Sequence, residues 1–435
     1  MRCRDAMNVY LAYLGCRLNE SEIEELAWRF VGDGHQVVRD PAEADLYVVN
    51  TCTVTREAAR KSRQMVRRLA RLSPNAAIAV TGCHATLAPD EMARLPNVTW
   101  VVSNDDKERL AELVSPPGVA KTSPLGHKPV LRHLGPGTLG RTRAFVKVQD
   151  GCDNHCTFCV ITIARGPSRS RPVNEILTEV QGLVEVGYQE VVLTGVHLGS
   201  YGRDLGQPGG LYQLIKTLLA QTDVPRLRLS SLEPWDLSPE FFDLWADSRL
   251  CRQLHVPLQS GCDEILRRMA RRTTAARFAE LTAAARRRIP GLALTTDVVA
   301  GFPGETDEAF EASYRFVEQM AFARLHVFVY SPRPGTAAAR MPDQVLAKVK
   351  AARGRAMRQL GARLSRVFQE RFIGCTLPVL WETSSDDDVW RGLSDNYLTV
   401  TTSCTANLVN RILPTRIVGM VNQGLRGEVI FTESI

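Results

Sequence analysis

The chain has 435 residues, 44% hydrophobic and 23% charged, with a formal net charge of +7. At roughly 150 residues per domain this supports two or three hydrophobic cores, and the composition excludes a disordered or low-complexity chain. No apolar run approaches the roughly 20 residues that a membrane-crossing helix needs, and 11 cysteines in so long a chain exclude a disulfide scaffold, pointing instead to metal binding in a reducing cytoplasm. The mildly basic balance permits a nucleic-acid partner without proving one.

Residues 7–114 alternate strand and helix. Met1–Ala6 has no pattern of its own, so Met7 is a candidate start, and the short apolar stretch that follows reads as a first strand and not a signal peptide. Strands are expected at 8–14, 45–50, 76–82 and 98–103. Between them, Asn19–Gly32 places Ile23, Leu26, Ala27 and Phe30 on one helical face, and Glu57–Leu72 is a basic helix. This order predicts a small doubly wound parallel sheet. Residues 115–143 are rich in proline, glycine and basic side chains without periodicity and read as a linker.

Residues 144–372 repeat the alternation, with strands at 144–149, 190–195, 226–231, 253–258, 292–301 and 324–330. Six such units predict a partial (βα)6 barrel, whose active site would lie at the C-terminal strand ends. A long basic helix is expected at 343–372. Residues 373–435 then change to short strands between turns such as SSDDD and LSDN, the pattern of a small β-barrel. The fold class is therefore α/β with an all-β C-terminal unit.

Cys152, Cys156 and Cys159 stand in a C-x3-C-x2-C run just after the first barrel strand. A cubane iron–sulfur cluster normally takes four thiolates. Three leave one iron open to a ligand, as an open catalytic metal site does. The competing interpretations are buried structural cysteines or a zinc knuckle using His155. Cys16, Cys52 and Cys83 each follow an expected strand, in YLGC, VNTC and VTGC. Strands of one parallel sheet bring their C-terminal ends together, so these three thiols are expected to converge on a second cluster. Single cysteines at strand ends are often only buried residues.

The run CDNHCTFC resembles the signature of the radical S-adenosylmethionine (SAM) superfamily, with Phe158 at the usual aromatic position. With LGCRLNESE, VVNTCTVTREAARKSR, VTGCHA and QDGCDNHCTFCVITIARG, the chain resembles the methylthiotransferase family from about residue 8 to residue 432. That resemblance implies an N-terminal cluster domain, a radical SAM barrel and a C-terminal TRAM-like barrel. It implies two [4Fe-4S] clusters, one on Cys16, Cys52 and Cys83 and one on Cys152, Cys156 and Cys159, the latter binding SAM. Gly195 would meet the SAM amino group. Ser231 and Glu233 would take its ribose or methionine part, Gln259 ends the next strand, and Gly301 lies in the turn near the adenine. One SAM would supply a methyl group to sulfur, and a second a 5′-deoxyadenosyl radical able to attack an inert C–H bond.

The stretches LGCRLN, VTGCHATLAPDE and VVSNDDK are similar to the branch that modifies N6-threonylcarbamoyladenosine at tRNA position 37. The sister branches act on isopentenyladenosine in tRNA or on an aspartate of a ribosomal protein. A non-catalytic iron–sulfur RNA-binding protein is the reading from another class. A base of the anticodon loop can be splayed into a pocket. Arg165, Arg169 and Arg171, close after the cluster loop, are the expected RNA contacts, with further candidates on the helices bearing Arg60–Arg71 and Lys348–Arg366. Trp381, Trp390 and Tyr397 could stack on bases but fit a barrel core better. The remaining partners implied are the anticodon stem-loop of tRNA, an electron-donor protein and a sulfur source. No long heptad seam argues for a dimer, so a monomer is expected.

Overall fold

The computed structural model describes residues 6–115, 135–136, 142–384, 388–422 and 424–431. Most of the expected 115–143 linker, and part of the SSDDD turn, lie outside the described residues.

The N-terminal sheet runs β2-β1-β3-β4-β5, with β1 Asn8–Tyr13, β2 Gln36–Val37, β3 Leu46–Thr51, β4 Ala77–Gly82 and β5 Val98–Val101, all paired in parallel. Every residue of β3 is buried, because helices cover both faces of a parallel sheet. Ile23, Leu26 and Phe30 of helix Arg17–Gly32 pack with Val9 and Val48 on one face, and Val66, Leu69 and Ala70 of helix Arg56–Leu72 pack with Tyr47, Val49 and Val80 on the other. Thr55 caps the second helix, its hydroxyl accepting from Ala58 N at 3.0 Å. The two-residue β2 is too short to leave a period in the sequence.

Six parallel strands form the open barrel. They are β6 Arg143–Asp150, β8 Glu190–Gly195, β9 Leu227–Leu229, β10 Gln253–His255, β11 Ala293–Ala300 and β12 Arg324–Val329. Single bridges, Leu227 to Leu250 and Ser231 to His255, carry the sheet from β9 to β10. A short antiparallel strand, β7 Arg169–Ser170, lies on the outer edge of β6. Helix Ala347–Glu370 packs along β12 and is shorter at both ends than its sequence pattern predicts.

The C-terminal unit is a closed barrel in the order β13-β14-β15-β17-β16, with β13 Thr376–Ser384, β14 Val389–Ser394, β15 Thr399–Ser403, β16 Ile412–Val421 and β17 Gly424–Val429. The sequence does not single out β14, since its only large apolar run is interrupted by Arg391 and Gly392. Trp381 and Trp390 are core residues of this barrel, packed with Val379, Val400 and Ile417. Tyr397 sits under the Arg228 guanidinium, 4.9 Å from it, and accepts a 2.7 Å bond from Arg17. None of the three aromatic rings is free to stack on a base.

Candidate functional site

Cys16, Cys52 and Cys83 lie at the C-terminal ends of β1, β3 and β4, three adjacent strands of one sheet. The parallel register that buries β3 therefore brings the three thiols into one neighbourhood. The Cys52 thiol is close enough to Cys16 and Cys83 to be raised by both, and the Cys16 thiol is raised by Cys83. Gly15 is packed so tightly that a Cβ there would stand 2.7 Å from the Cys52 sulfur. Gly82 has φ +95°, and a Cβ on it would meet Asn50 Oδ1 and the Thr51 backbone within 2.7 Å. The chain can turn into Cys83 there only without a side chain. Cys16 is exposed, whereas Cys52 and Cys83 are buried.

The second triad is held by the loop after β6. Cys152 N donates to Gly166 O at 3.1 Å, and Cys159 N to Cys156 O at 3.0 Å. Thr157 ties the loop to the far side of the barrel, its hydroxyl donating to Arg268 O at 2.9 Å and its carbonyl accepting from Ala338 N at 2.8 Å. Phe158 meets Phe302 edge-on, with ring centroids 6.4 Å apart.

Burial pushes the Cys52 and Cys159 thiols up to about 12 and raises those of Cys16 and Cys156. Left alone they are neutral thiols, so a bound cation must supply the charge that makes them thiolates. Among the described residues no three His, Cys, Asp or Glu side chains are close enough together to hold a single metal ion. Three thiols to a set, with no histidine among them, suit the thiolate ligation of an iron–sulfur cluster.

Around the second triad the structure adds residues that the sequence did not reveal. Arg271 donates to Cys156 Sγ at 3.8 Å and forms an ion pair of 2.5 Å with Glu233, while its guanidinium lies 4.5 Å over the Trp235 ring. His197 is bonded to Asp236 at 2.5 Å and to the Asn154 side chain at 3.2 Å. Burial alone would lower its pKa, but the Asp236 bond prevails and lifts it to about 9. No motif announces either residue, because Arg271 and Cys156 are 115 positions apart.

The residues expected around SAM line this same end of the barrel. Gly195 ends β8 against Gln149, Ser231 bridges to His255, and Gln259 bridges to Val298 with φ +72°. Gly301 lies in a turn whose N–H donates to Glu305 at 2.8 Å. Glu233 is not free: Arg271 occupies its carboxylate. Ser230 Oγ and Trp235 Nε1 are buried without a partner, as polar atoms are when a ligand completes them. The donors present thus fit a polar cofactor beside the cluster loop.

Of the three arginines expected at RNA, Arg169 is exposed. Arg171 is engaged with Glu179 at 2.7 Å and with Lys147 O at 2.8 Å. Arg165 corrects the sequence reading: its side chain is 1% exposed and pairs with Glu22 at 2.7 Å and Asp150 at 3.0 Å. It faces the interior between the N-terminal sheet and the barrel, not solvent. On helix Ala347–Glu370, Arg353 is likewise buried against Glu305 and Asp307.

A parallel partial barrel carrying a C-x3-C-x2-C loop at its C-terminal end defines the radical SAM class, and the radical SAM superfamily model matches residues 146–317. The model for the uncharacterized protein family UPF0004 matches residues 8–103. The chain is 37% identical to the threonylcarbamoyladenosine tRNA methylthiotransferase MtaB of Bacillus subtilis, over 93% of this chain and 92% of that protein. It is 34% identical to the ribosomal protein uS12 methylthiotransferase RimO of Trichlorobacter lovleyi, over 87% of each chain. The solved radical SAM methyltransferase TsrM of Kitasatospora setae shares the fold at TM-score 0.54 and 18% identity, over 77% of each chain. The chain belongs to the radical SAM methylthiotransferase family. Among the described residues no helix is long and apolar enough to cross a membrane.

Proposed function

We propose that this enzyme transfers a methylthio group to C2 of N6-threonylcarbamoyladenosine at position 37 of tRNA. The observation that carries the reading is the pair of cysteine triads, one following strands of the N-terminal sheet and one in the loop after β6, with Asn104 and the buried Arg165 linking the elements that bear them. Five relatives matched at 33–37% identity bear the name of that tRNA modification. The chain divides for this task into an N-terminal cluster domain at 7–114, a linker at 115–143, a radical SAM domain with its trailing helix at 144–372 and a TRAM-like barrel at 373–435.

Cys16, Cys52 and Cys83 would hold one [4Fe-4S] cluster, and Cys152, Cys156 and Cys159 the other. When bound, SAM and the two clusters supply a methyl group, a carbon-centred radical and the sulfur to be transferred. Phe158 packs the second loop against the barrel. Gly195, Ser231, Gln259, Gly301 and the Glu233–Arg271 pair surround the SAM site. Arg271 places a fixed positive charge beside the Cys156 sulfur, favouring its thiolate. Exposed Arg67, Arg68, Arg71 and Arg169, with Lys348, Arg355 and Arg358 of the long helix, offer cations to the RNA backbone. The electron donor and sulfur source remain partners to be supplied from outside the chain.

Anaerobic iron analysis of the reconstituted protein beside the Cys16→Ala/Cys52→Ala/Cys83→Ala variant tests the clusters. About eight irons should fall to about four. Nucleoside mass spectrometry of tRNA from a deletion strain tests the substrate. Loss of the methylthio form of threonylcarbamoyladenosine is expected. Loss of the isopentenyladenosine form instead, or of a modified ribosomal aspartate with tRNA unchanged, would overturn the substrate assignment.

A further inference from the structure

Arg165 lies six residues beyond Cys159, at the end of the short helix Ile161–Arg165. The next residue, Gly166, accepts from Cys152 N, so this arginine is tied directly to the radical-cluster loop. Its guanidinium bridges the end of barrel strand β6 and helix Arg17–Gly32 of the N-terminal domain. One Nη bonds Glu22 Oε1 at 2.7 Å and Asp150 at 3.0 Å, and the other bonds Asn19 Oδ1 at 2.9 Å and Glu22 Oε2 at 3.2 Å.

Those partners lead to each of the three auxiliary cysteines. Asn19 donates to Leu14 O at 2.7 Å, two residues before Cys16, and to Thr51 O at 3.3 Å, one residue before Cys52. The Cys16 thiol itself lies 3.7 Å from Asn19 Oδ1. On the other side, Asn104 donates to Ala164 O at 2.7 Å and reaches Cys83 Sγ at 3.9 Å. The segment Ala164–Gly166 therefore links through Asn19 and Asn104 toward all three auxiliary cysteines, while the Gly166 carbonyl holds the radical-cluster loop at Cys152 N.

The charges facing it are closed within the same boundary. Lys107 Nζ is 2.6 Å from Glu22, whose carboxylate also accepts from Asn50 at 2.9 Å, and Lys147 lies 3.9 Å from Asp150. Glu22, Lys107 and Arg165 are all buried. A planar five-donor fork can make these divergent bonds at once, and a lysine ammonium of similar charge cannot.

We infer that Arg165 is a positioning residue that fixes the separation of the two cluster sites, so that its loss uncouples radical formation from delivery of the methylthio group. This rests on the two-cluster function proposed above. The radical is generated within the barrel, whereas the sulfur must come from the other side of the boundary. A misplacement on the order of 1 Å between reacting partners can cost as much as 100-fold in rate.

The test compares reconstituted full-length wild type with Arg165→Lys and Arg165→Gln. Iron per chain, 5′-deoxyadenosine formed and methylthio nucleoside formed are measured together, with the magnetic interaction between the two reduced clusters read by electron paramagnetic resonance. The expected result is unchanged iron, 5′-deoxyadenosine within about twofold of wild type, and methylthio product per 5′-deoxyadenosine lower on the order of tenfold in both variants. The weakened or altered cluster–cluster interaction should accompany it, a change that a general loss of stability would not produce at full iron content. Parallel loss of both products at full iron, loss of half the iron in both variants, or an unchanged product ratio would each overturn the inference. If wild type itself forms 5′-deoxyadenosine but no methylthio product, the proposed function fails and not the role of Arg165.

Discussion

Arg228 donates from Nε to Glu190 Oε1 at 2.7 Å, and the same guanidinium reaches the Ser394 and Asp395 carbonyls at 3.2 and 3.0 Å. Both side chains are buried, and Arg226 beside them donates to Pro378 O and Leu393 O. A charge at the start of β8 thus orients two arginines that hold the C-terminal barrel against the radical SAM barrel. Removing one partner of a buried pair leaves the other uncompensated and costs roughly 3 kcal/mol or more. Glu190→Gln is expected to lower the thermal midpoint by about 10 °C. The C-terminal barrel should become sensitive to proteolysis at 373–376 before the rest of the chain. A midpoint within 2 °C of wild type would remove Glu190 from this role.

The same carboxylate gives a pH prediction. Burial would raise its pKa, but Arg228, Arg143 and Arg226 outweigh burial and bring it down to about 2. A group whose folded pKa is depressed stabilises the fold above its ordinary value, here near 4.5, and loses that stabilisation as pH falls toward the folded value. The stability gap between wild type and Glu190→Gln should be constant above pH 5 and shrink by about 1.4 kcal/mol per pH unit below 4.5. Urea titrations at pH 6, 4 and 3 read it directly. A gap that is flat through pH 3 would place the carboxylate's pKa change elsewhere.

Much of this fold was legible because its strands carry their own apolar runs. The expected β1, β3, β4, β6 and β8 lie within two residues of the observed strands, and Cys16, Cys52, Cys83 and Cys152 stand just beyond strand ends as their sequence places predict. What was not legible depends on distant partners. Arg165 reads as an exposed RNA contact in ARGPSRSRP, since glycine, serine and proline surround it. Glu22, which draws it inward, is 143 positions away. Glu233 reads as a free ligand for the same reason, Arg271 being 38 positions on. Buried charge pairs have no period, and their burial is decided by which elements meet.

Two glycines make a matched pair of tests for the cluster loops. Gly82 precedes Cys83, and Gly151 precedes Cys152. Gly151 has φ +70°, and a Cβ on it would fall 1.8 Å from Pro167 O. Gly82→Ala should displace Cys83 and lower iron from about eight to about four per chain, with 5′-deoxyadenosine formation retained. Gly151→Ala should lose a similar share of iron, but with 5′-deoxyadenosine formation abolished. The opposite pattern, or equal loss of 5′-deoxyadenosine in both, would contradict the assignment of one loop to each cluster.

The two neighbouring arginines after the cluster loop should behave differently toward RNA, although the sequence treats them alike. Arg169 is exposed and free to neutralise a phosphate, releasing counterions as it does so. Arg171 spends its guanidinium on Glu179 at 2.7 Å and on Lys147 O at 2.8 Å. Arg169→Ala should weaken binding of an anticodon stem-loop several-fold at low salt and reduce the slope of log Kd against log salt by about 0.7 to 0.9. Arg171→Ala should leave that slope unchanged while lowering thermal stability by about 1 kcal/mol, the worth of a partly exposed ion pair and one carbonyl bond. Fluorescence anisotropy across a salt series measures both. Equal slope changes would mean that Glu179 releases Arg171 when RNA arrives, and that the pair seen here is a resting contact of the free protein.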